Sequence, residues 1–154
     1  MHLTDLLNDL IDIPTNAGNV AASGLSFDSR HASAGNVFFA IAGRKHDGRD
    51  FIEAAIGAGV SAIVTDNRPI SKKLIKAAAT EKVSLLQCAN PRRVMALAAA
   101  RFWPSQPRMI AAVTGTNGKT STAEFLRQLW RRATWKSITF GTLGVTGAST
   151  LKIN

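Results

Sequence analysis

A glycine-rich segment, G-T-N-G-K-T-S at residues 115–121, constrains the fold of this 154-residue chain more than any other feature of its sequence. The residues just before it, 109–113, form a short and continuous apolar run, which predicts a strand buried on both faces of a parallel sheet. Residues 119–132 have the apolar spacing of a helix, and residues 137–140 can form a second strand. A strand, a glycine turn and a helix in this order predict an α/β fold.

The glycine-rich segment has the composition of a phosphate-binding loop. Glycines at 115 and 118 let successive backbone N–H groups converge on phosphate oxygens, and the start of the helix adds a partial positive charge. Lys119 can reach the β- and γ-phosphate oxygens of ATP, and the Thr120 hydroxyl can ligate Mg²⁺. The general pattern G-x-x-x-x-G-K-T requires glycine at position 113, where this chain has Val113. An ordinary glycine turn with an exposed lysine is the alternative.

We therefore predict that ATP and Mg²⁺ bind at this segment, with Lys119 as the catalytic residue and Thr120 as a metal ligand. The predicted ATP-binding residues are Gly115, Thr116, Asn117, Gly118, Lys119, Thr120 and Ser121. After position 107 the only acidic residue is Glu124, which we expect to point to solvent. Phosphoryl transfer needs a further carboxylate to hold Mg²⁺. We therefore expect that residues 106–154 are only the first part of an ATP-binding domain and that the chain is inactive by itself.

Residues 1–105 alternate short apolar runs with helical patterns, which also indicates an α/β fold. The predicted strands lie at 37–41, 62–65 and 83–87, and the predicted helices lie at 50–58, 71–81 and 91–103. Asn90 is expected to cap the last of these helices, with Pro91 at its first position. The prolines of W-P-S-Q-P at 103–107 predict a boundary between a domain of residues 1–105 and one of residues 106–154.

Composition limits the class of protein. The apolar fraction of 45% is sufficient to bury a core, and the single cysteine, Cys88, excludes an internal disulfide framework. Residues 1–10 lack the basic and apolar regions of a signal peptide, and no segment approaches the roughly 20 apolar residues of a membrane span. We therefore expect a cytoplasmic protein without a membrane partner, in which Cys88 belongs to the core.

The formal net charge of +9 is concentrated in the last third of the chain. Residues 107–154 contain 7 lysines and arginines against 1 acidic residue, whereas residues 1–106 contain 12 against 9. The sequence has neither an RNA-binding aromatic signature nor a helix-turn-helix pattern. The charge alone is compatible with nucleic acid, but polyphosphate ligands explain it equally well, and the missing signatures argue against nucleic acid.

Three segments ahead of the boundary accompany the glycine-rich segment. They are S-F-D-S-R at 26–30, G-N-V-F-F-A-I-A-G at 35–43 and D-G at 47–48. Taken alone, these segments are a polar loop, a buried strand and a glycine turn. Purely structural roles then explain them as well as functional roles do. Together with G-T-N-G-K-T-S they resemble the Mur ligase family, and most of all its MurE branch. The G-T-L-G turn at 141–144 favours this branch over the MurF branch, which adds D-alanyl-D-alanine.

The resemblance covers nearly the whole chain and implies a nucleotide-sugar-binding domain followed by the start of a P-loop ATPase domain. Phe27, Ser29, Arg44, Lys45 and His46 stand where the family binds the uridine diphosphate end of its substrate. Hydroxyl and cationic groups suit a diphosphate and a uracil edge.

The implied activity is ATP-dependent addition of meso-diaminopimelate or lysine to UDP-N-acetylmuramoyl-L-alanyl-D-glutamate in peptidoglycan synthesis, by a monomer. The resemblance also implies that the residues choosing the amino acid lie in a C-terminal domain. Two alternatives come from other classes of protein. One is a UDP-sugar-binding module without catalysis, and the other is an unrelated phosphate-loop NTPase, which would need a Walker-B acidic strand.

Overall fold

The computed structural model describes residues 1–15, 17, 19–43, 46–105 and 107–147. The chain forms two compact units, Met1–Gln106 and Pro107–Asn154.

The first unit is built on a four-stranded parallel sheet with the strands in sequence order, β1-β2-β3-β4. The strands are β1 (Gly24–Ser26), β2 (Asn36–Ala40), β3 (Ala62–Thr65) and β4 (Ser84–Gln87). The helices are α1 (Leu3–Leu7), α2 (Ile52–Gly57), α3 (Lys72–Thr80) and α4 (Pro91–Phe102). Short 3-10 turns at Ser29–His31 and Gly48–Phe51 follow β1 and β2. The strands predicted at 37–41, 62–65 and 83–87 are confirmed to within a residue or so.

Helices cover both faces of this sheet, so two cores form. Val37 and Phe39 of β2 lie in a cluster with residues of α1 and α4, whereas Phe38 and Ala40 lie in a cluster with residues of α2 and α3. Successive side chains of a strand point to opposite faces, which explains this division. Since both faces are buried, β2 is a continuous apolar run rather than an alternating one.

Side chains cap the first turns of two of the helices, one of them at the predicted position. Asn90 accepts a hydrogen bond from the backbone N–H of Arg93 at 3.0 Å, and Pro91 is the first residue of α4, as predicted. Ser71 accepts one from Leu74 N–H at 3.3 Å at the start of α3. Such caps satisfy N–H groups that a helix leaves without partners in its first turn.

The second unit contains α5 (Lys119–Arg132) and an antiparallel hairpin of β5 (Thr139–Gly141) and β6 (Gly144–Thr146). The strand predicted at 109–113 is wrong, because these residues form no strand and Ile110 is 73% exposed. A buried parallel strand needs a neighbouring strand for its backbone hydrogen bonds. Within the described part of this unit, β5 and β6 pair only with each other.

The described residues contain neither a helix that could span a membrane nor a metal-binding group of His, Cys, Asp or Glu side chains. None of their helices is long and apolar enough to cross a membrane. In the same part of the chain, no group of three or more His, Cys, Asp or Glu side chains is arranged to hold a metal ion.

Candidate functional site

The carboxyl ends of β1 to β4 lie at one edge of the parallel sheet, where ligands of open α/β folds bind. Phe27 and Ser29 follow β1 directly, and His46 follows β2 after a short turn. Phe27 is 69% exposed, and Ser29 lies half-buried in the 3-10 turn. The structure thus places these predicted residues after adjacent strands at the same edge. Arg44 and Lys45 lie outside the described residues.

Residues 27–30 form a compact turn beyond β1. Asp28 accepts hydrogen bonds from the backbone N–H of Arg30 at 3.0 Å and from its guanidinium at 2.6 Å. Ser26 donates its hydroxyl to the carbonyl of Asp28 at 2.7 Å. The guanidinium of Arg30 holds the pKa of Asp28 well below its usual range, so the carboxylate stays charged at neutral pH. Asp28 therefore stabilises the turn that contains Phe27 and Ser29.

The turn after β2 is closed by backbone contacts at its base. Ala42 and Asp47 form an antiparallel bridge, and Gly43 N–H donates to the carbonyl of His46 at 2.9 Å. Gly48 follows at once, where a Cβ atom would lie 2.5 Å from the backbone nitrogen of Ile41, so only glycine fits. Arg44 and Lys45 lie between Gly43 and His46 in the sequence. Backbone hydrogen bonds thus fix the base of the turn, residues 42–43 and 46–47.

An Arg–Asp cluster, consisting of Asp47, Arg49, Asp66 and Arg68, joins this turn to the segment after β3. Arg68 Nη1 lies 2.7 Å from Asp47, and its Nη2 lies 2.6 Å from Asp66. Arg49 Nη1 donates to Asp66 at 2.5 Å, and its Nη2 donates to the carbonyl of Pro69 at 2.6 Å. Hydrogen bonds from Arg68 are the main cause that lowers the pKa of both Asp47 and Asp66.

The glycine-rich segment of the second unit starts α5 without a side-chain cap. Gly118 has φ +76° and Gly115 has φ +141°, a backbone region that favours glycine. A Cβ atom on Gly118 would meet nothing within 4 Å, so space lies open beside the helix start. The first N–H groups of a helix lack intrahelical partners, unlike those that Ser71 and Asn90 cap in the first unit. These observations fit a phosphate group at this position.

Lys119 and Thr120 occupy the first turn of α5. The ammonium of Lys119 donates to the carbonyl of Gly115 and, at 3.2 Å, to that of Thr116, so its side chain folds back over the loop. The hydroxyls of Thr120 and Thr142 are 3.0 Å apart, which joins the helix start to the turn between β5 and β6. A hydroxyl and an ammonium beside free N–H groups are a suitable set for a phosphate oxygen and its divalent cation.

The expectation that Glu124 points to solvent is wrong. Its carboxylate binds the guanidinium of Arg127, accepts a hydrogen bond from Gln128 at 3.3 Å and accepts one from Thr146 at 3.3 Å. Arg127, one turn further along the helix, is the main cause that lowers the pKa of Glu124 to about 2. Ser137 donates to the carbonyl of Arg127 at 3.0 Å. Glu124 therefore joins α5 to the hairpin.

Comparison with known families covers both units. Residues 22–103, more than half of the chain, match the model described as "Mur ligase family, catalytic domain", and residues 113–154 match that of the "Mur ligase middle domain". The chain belongs to the Mur ligase family. The second match begins at Val113, so it includes the whole glycine-rich segment.

Individual relatives are similar over most of this Mur ligase chain. A protein of Bradyrhizobium diazoefficiens is 46% identical over 145 residues, which is 94% of this chain and 28% of the relative. One of Caulobacter vibrioides is 41% identical over 93% of the chain and 28% of its own length, and one of Zymomonas mobilis is 48% identical over 79% and 23%. All three are named UDP-N-acetylmuramoyl-L-alanyl-D-glutamate--2,6-diaminopimelate ligase. The chain thus spans about 28% of the length of the first two relatives.

Sequence reasoning missed two features of this Mur ligase chain. Thr142 belongs to the G-T-L-G turn, but its contact with Thr120 depends on the geometry of the hairpin. Arg68 belongs to no known motif. The signal that could have identified it is D-N-R at 66–68 after a predicted strand, which has the spacing of a local carboxylate–guanidinium pair.

Proposed function

We propose that this Mur ligase chain supplies the nucleotide-sugar site and the ATP phosphate loop of a UDP-N-acetylmuramoyl-L-alanyl-D-glutamate ligase that adds meso-diaminopimelate or lysine. The observation that carries the proposal is the uncapped start of α5, with Gly115 and Gly118 at positive φ and Lys119 and Thr120 in its first turn. The names of the relatives support the assignment of this substrate, and they favour diaminopimelate over D-alanyl-D-alanine as the group that is added. The activity is proposed for the full-length protein.

The second unit would act on the phosphates of ATP. Free N–H groups of the loop bind phosphate oxygens, and Lys119 exchanges its loop carbonyls for the β- and γ-phosphate oxygens. Bound Mg²⁺ would neutralise phosphate charge, with the Thr120 hydroxyl as a protein ligand. If Thr120 donates its proton to Thr142, its oxygen lone pairs remain available to the cation, so Thr142 orients that hydroxyl.

The first unit would bind the uridine diphosphate end of the substrate. The exposed ring of Phe27 offers an apolar surface to the base, and the Ser29 hydroxyl offers a hydrogen bond at the same edge of the sheet. His46, together with Arg44 and Lys45, would bind the diphosphate. This unit does not need the second one to form its edge, because β1 to β4 all belong to residues 24–87.

Calorimetric titration of the 154-residue chain with UDP-N-acetylmuramoyl-L-alanyl-D-glutamate tests this proposal. We expect saturable binding that weakens in Ser29→Ala, since the hydroxyl would lose a hydrogen bond to the ligand worth about 0.5–1.5 kcal/mol. Ser33→Ala is the matched control, because Ser33 is exposed and lies ahead of β2 at the opposite edge. Absence of binding by the wild-type chain would refute the nucleotide-sugar site, and equal affinity of both variants would remove Ser29 from it.

A further inference from the structure

The base of the turn after β2 is attached to two neighbouring segments of the first unit. Asp47, at the end of the turn, binds Arg68 of the segment after β3. Ala42, at its beginning, accepts a hydrogen bond from Arg92 of α4 at 3.1 Å. Both ends of residues 42–47 are thus held by arginines that are distant in sequence.

Arg68 is itself held in place from several directions. Its Nε and Nη2 bind Asp66, its Nη1 binds Asp47, and its backbone carbonyl accepts hydrogen bonds from Arg49 at 3.1 Å and Gln87 at 2.9 Å. All three guanidinium nitrogens of Arg68 therefore have carboxylate partners. A side chain committed in this way is suited to fix a neighbouring segment rather than to bind a ligand anion directly.

We propose that Arg68 is a positioning residue for nucleotide-sugar binding, which acts by holding Asp47 and with it the base of the turn, residues 42–43 and 46–47, at the ligand edge of the sheet. This inference rests on the proposed function, since His46 lies in this base directly before Asp47. A turn fixed before the ligand arrives loses less conformational entropy on binding, which raises affinity. Arg68 contributes to affinity through Asp47 without touching the ligand.

The two members of the pair carry opposite charges, and this allows a sharp test. If Arg68 acted only through its long-range field on a diphosphate, Arg68→Ala would weaken binding and Asp47→Asn would strengthen it. If Arg68 positions the turn through Asp47, both variants weaken binding. Asparagine keeps an oxygen that can accept the hydrogen bond that Asp47 now accepts from Arg49 N–H at 3.1 Å.

The experiment is calorimetric titration of UDP-N-acetylmuramoyl-L-alanyl-D-glutamate into the 154-residue chain and its variants, with thermal unfolding of each. We expect Kd to rise about tenfold in Arg68→Ala and in Asp47→Asn, within the range of typical couplings between sites. The double variant should bind no more weakly than either single variant, because both remove the same contact. The Kd of Arg68→Lys should lie between those of the wild type and Arg68→Ala, since one ammonium cannot bridge two carboxylates as a guanidinium does.

Lys73→Ala is the matched control, because it removes an exposed ion pair between α3 and α2, Lys73–Glu53 at 2.8 Å, and should leave Kd unchanged. Tighter binding by Asp47→Asn, or additive losses in the double variant, would overturn the inference. So would an unchanged Kd in Arg68→Ala. If the wild-type chain does not bind the nucleotide sugar at all, the proposed function fails, and this outcome differs from every one that tests Arg68.

Discussion

At the scale of single residues, Lys119 occupies the position most closely tied to the proposed chemistry. It follows Gly118 at the start of α5, and its ammonium rests on the carbonyls of Gly115 and Thr116. These carbonyls hold the cation beside the helix start, where phosphate oxygens would replace them. In the proposed reaction, the interaction of this ammonium with the departing γ-phosphoryl group would become stronger in the transition state, so its loss would lower kcat rather than weaken binding.

We expect Lys119→Ala in the full-length protein to lower kcat by about a hundredfold or more, as for the loss of other well-placed transition-state groups. The Kd of UDP-N-acetylmuramoyl-L-alanyl-D-glutamate should change little, since its proposed site lies in the first unit. Steady-state kinetics at saturating ATP and calorimetry measure the two quantities. Lys136→Ala, at an exposed lysine beyond α5, serves as the control. A kcat near that of the unsubstituted enzyme would contradict the phosphate-loop assignment.

At the scale of elements, ion pairs join segments that the strands bring together. The Arg–Asp cluster connects the turn after β2 with the segment after β3, and Gln87 at the end of β4 donates to the carbonyl of Asp66 at 2.9 Å. Asp66 is 21% exposed and Arg49 14%, whereas Arg68 is 52% exposed, so solvent screens the Arg49–Asp66 pair less than the pairs of Arg68. The contribution of the cluster to stability therefore depends on the charge of its carboxylates.

The cluster predicts a pH dependence of stability. The pKa of Asp66 is lowered, mainly by hydrogen bonds from Arg68, so Asp66 stabilises the folded state above its unfolded pKa of about 3.9. This contribution is lost as the pH falls from about 4 through the folded pKa. We expect the difference in unfolding free energy between wild type and Asp66→Asn, from urea denaturation, to shrink steadily below pH 4. A difference that stays constant between pH 7 and pH 3 would show that the ionised carboxylate contributes nothing.

At the scale of the whole molecule, the first unit contains a complete hydrophobic core. Both buried clusters are formed by residues between Leu3 and Ala98, on the two faces of one sheet. The second unit differs, because several of its large apolar side chains are exposed: Met109, Ile110, Phe125, Leu129, Trp135, Phe140 and Leu143. Stability should accordingly be unequal between the units.

We therefore predict that residues 1–105 alone fold cooperatively and bind the nucleotide sugar with the affinity of the 154-residue chain. Their core and the strand ends that carry Phe27, Ser29 and His46 are all retained. Thermal unfolding by circular dichroism and calorimetric titration measure both properties. Loss of cooperative unfolding in the shortened chain would show that residues 106–154 contribute to folding of the first unit.

Features that depend on neighbouring residues could be predicted from the sequence by itself. Apolar runs of the first unit form strands, Asn90 and Pro91 begin α4, and a helix follows the glycine-rich segment directly. Each of these features depends on side-chain size, backbone freedom or a hydrogen bond spanning a few positions, so the local sequence is sufficient.

Only the tertiary structure decided features whose partners are distant. The segment 109–113 has the apolar character of a buried strand, yet it forms none, because pairing needs a second strand beside it. Glu124 is engaged because its helix meets the hairpin, and Arg68 reaches Asp47 only because β2 and β3 are adjacent in the sheet. Propensity specifies what a segment can form, whereas strand pairing and ion pairs require the partner to be brought within contact distance by the rest of the fold.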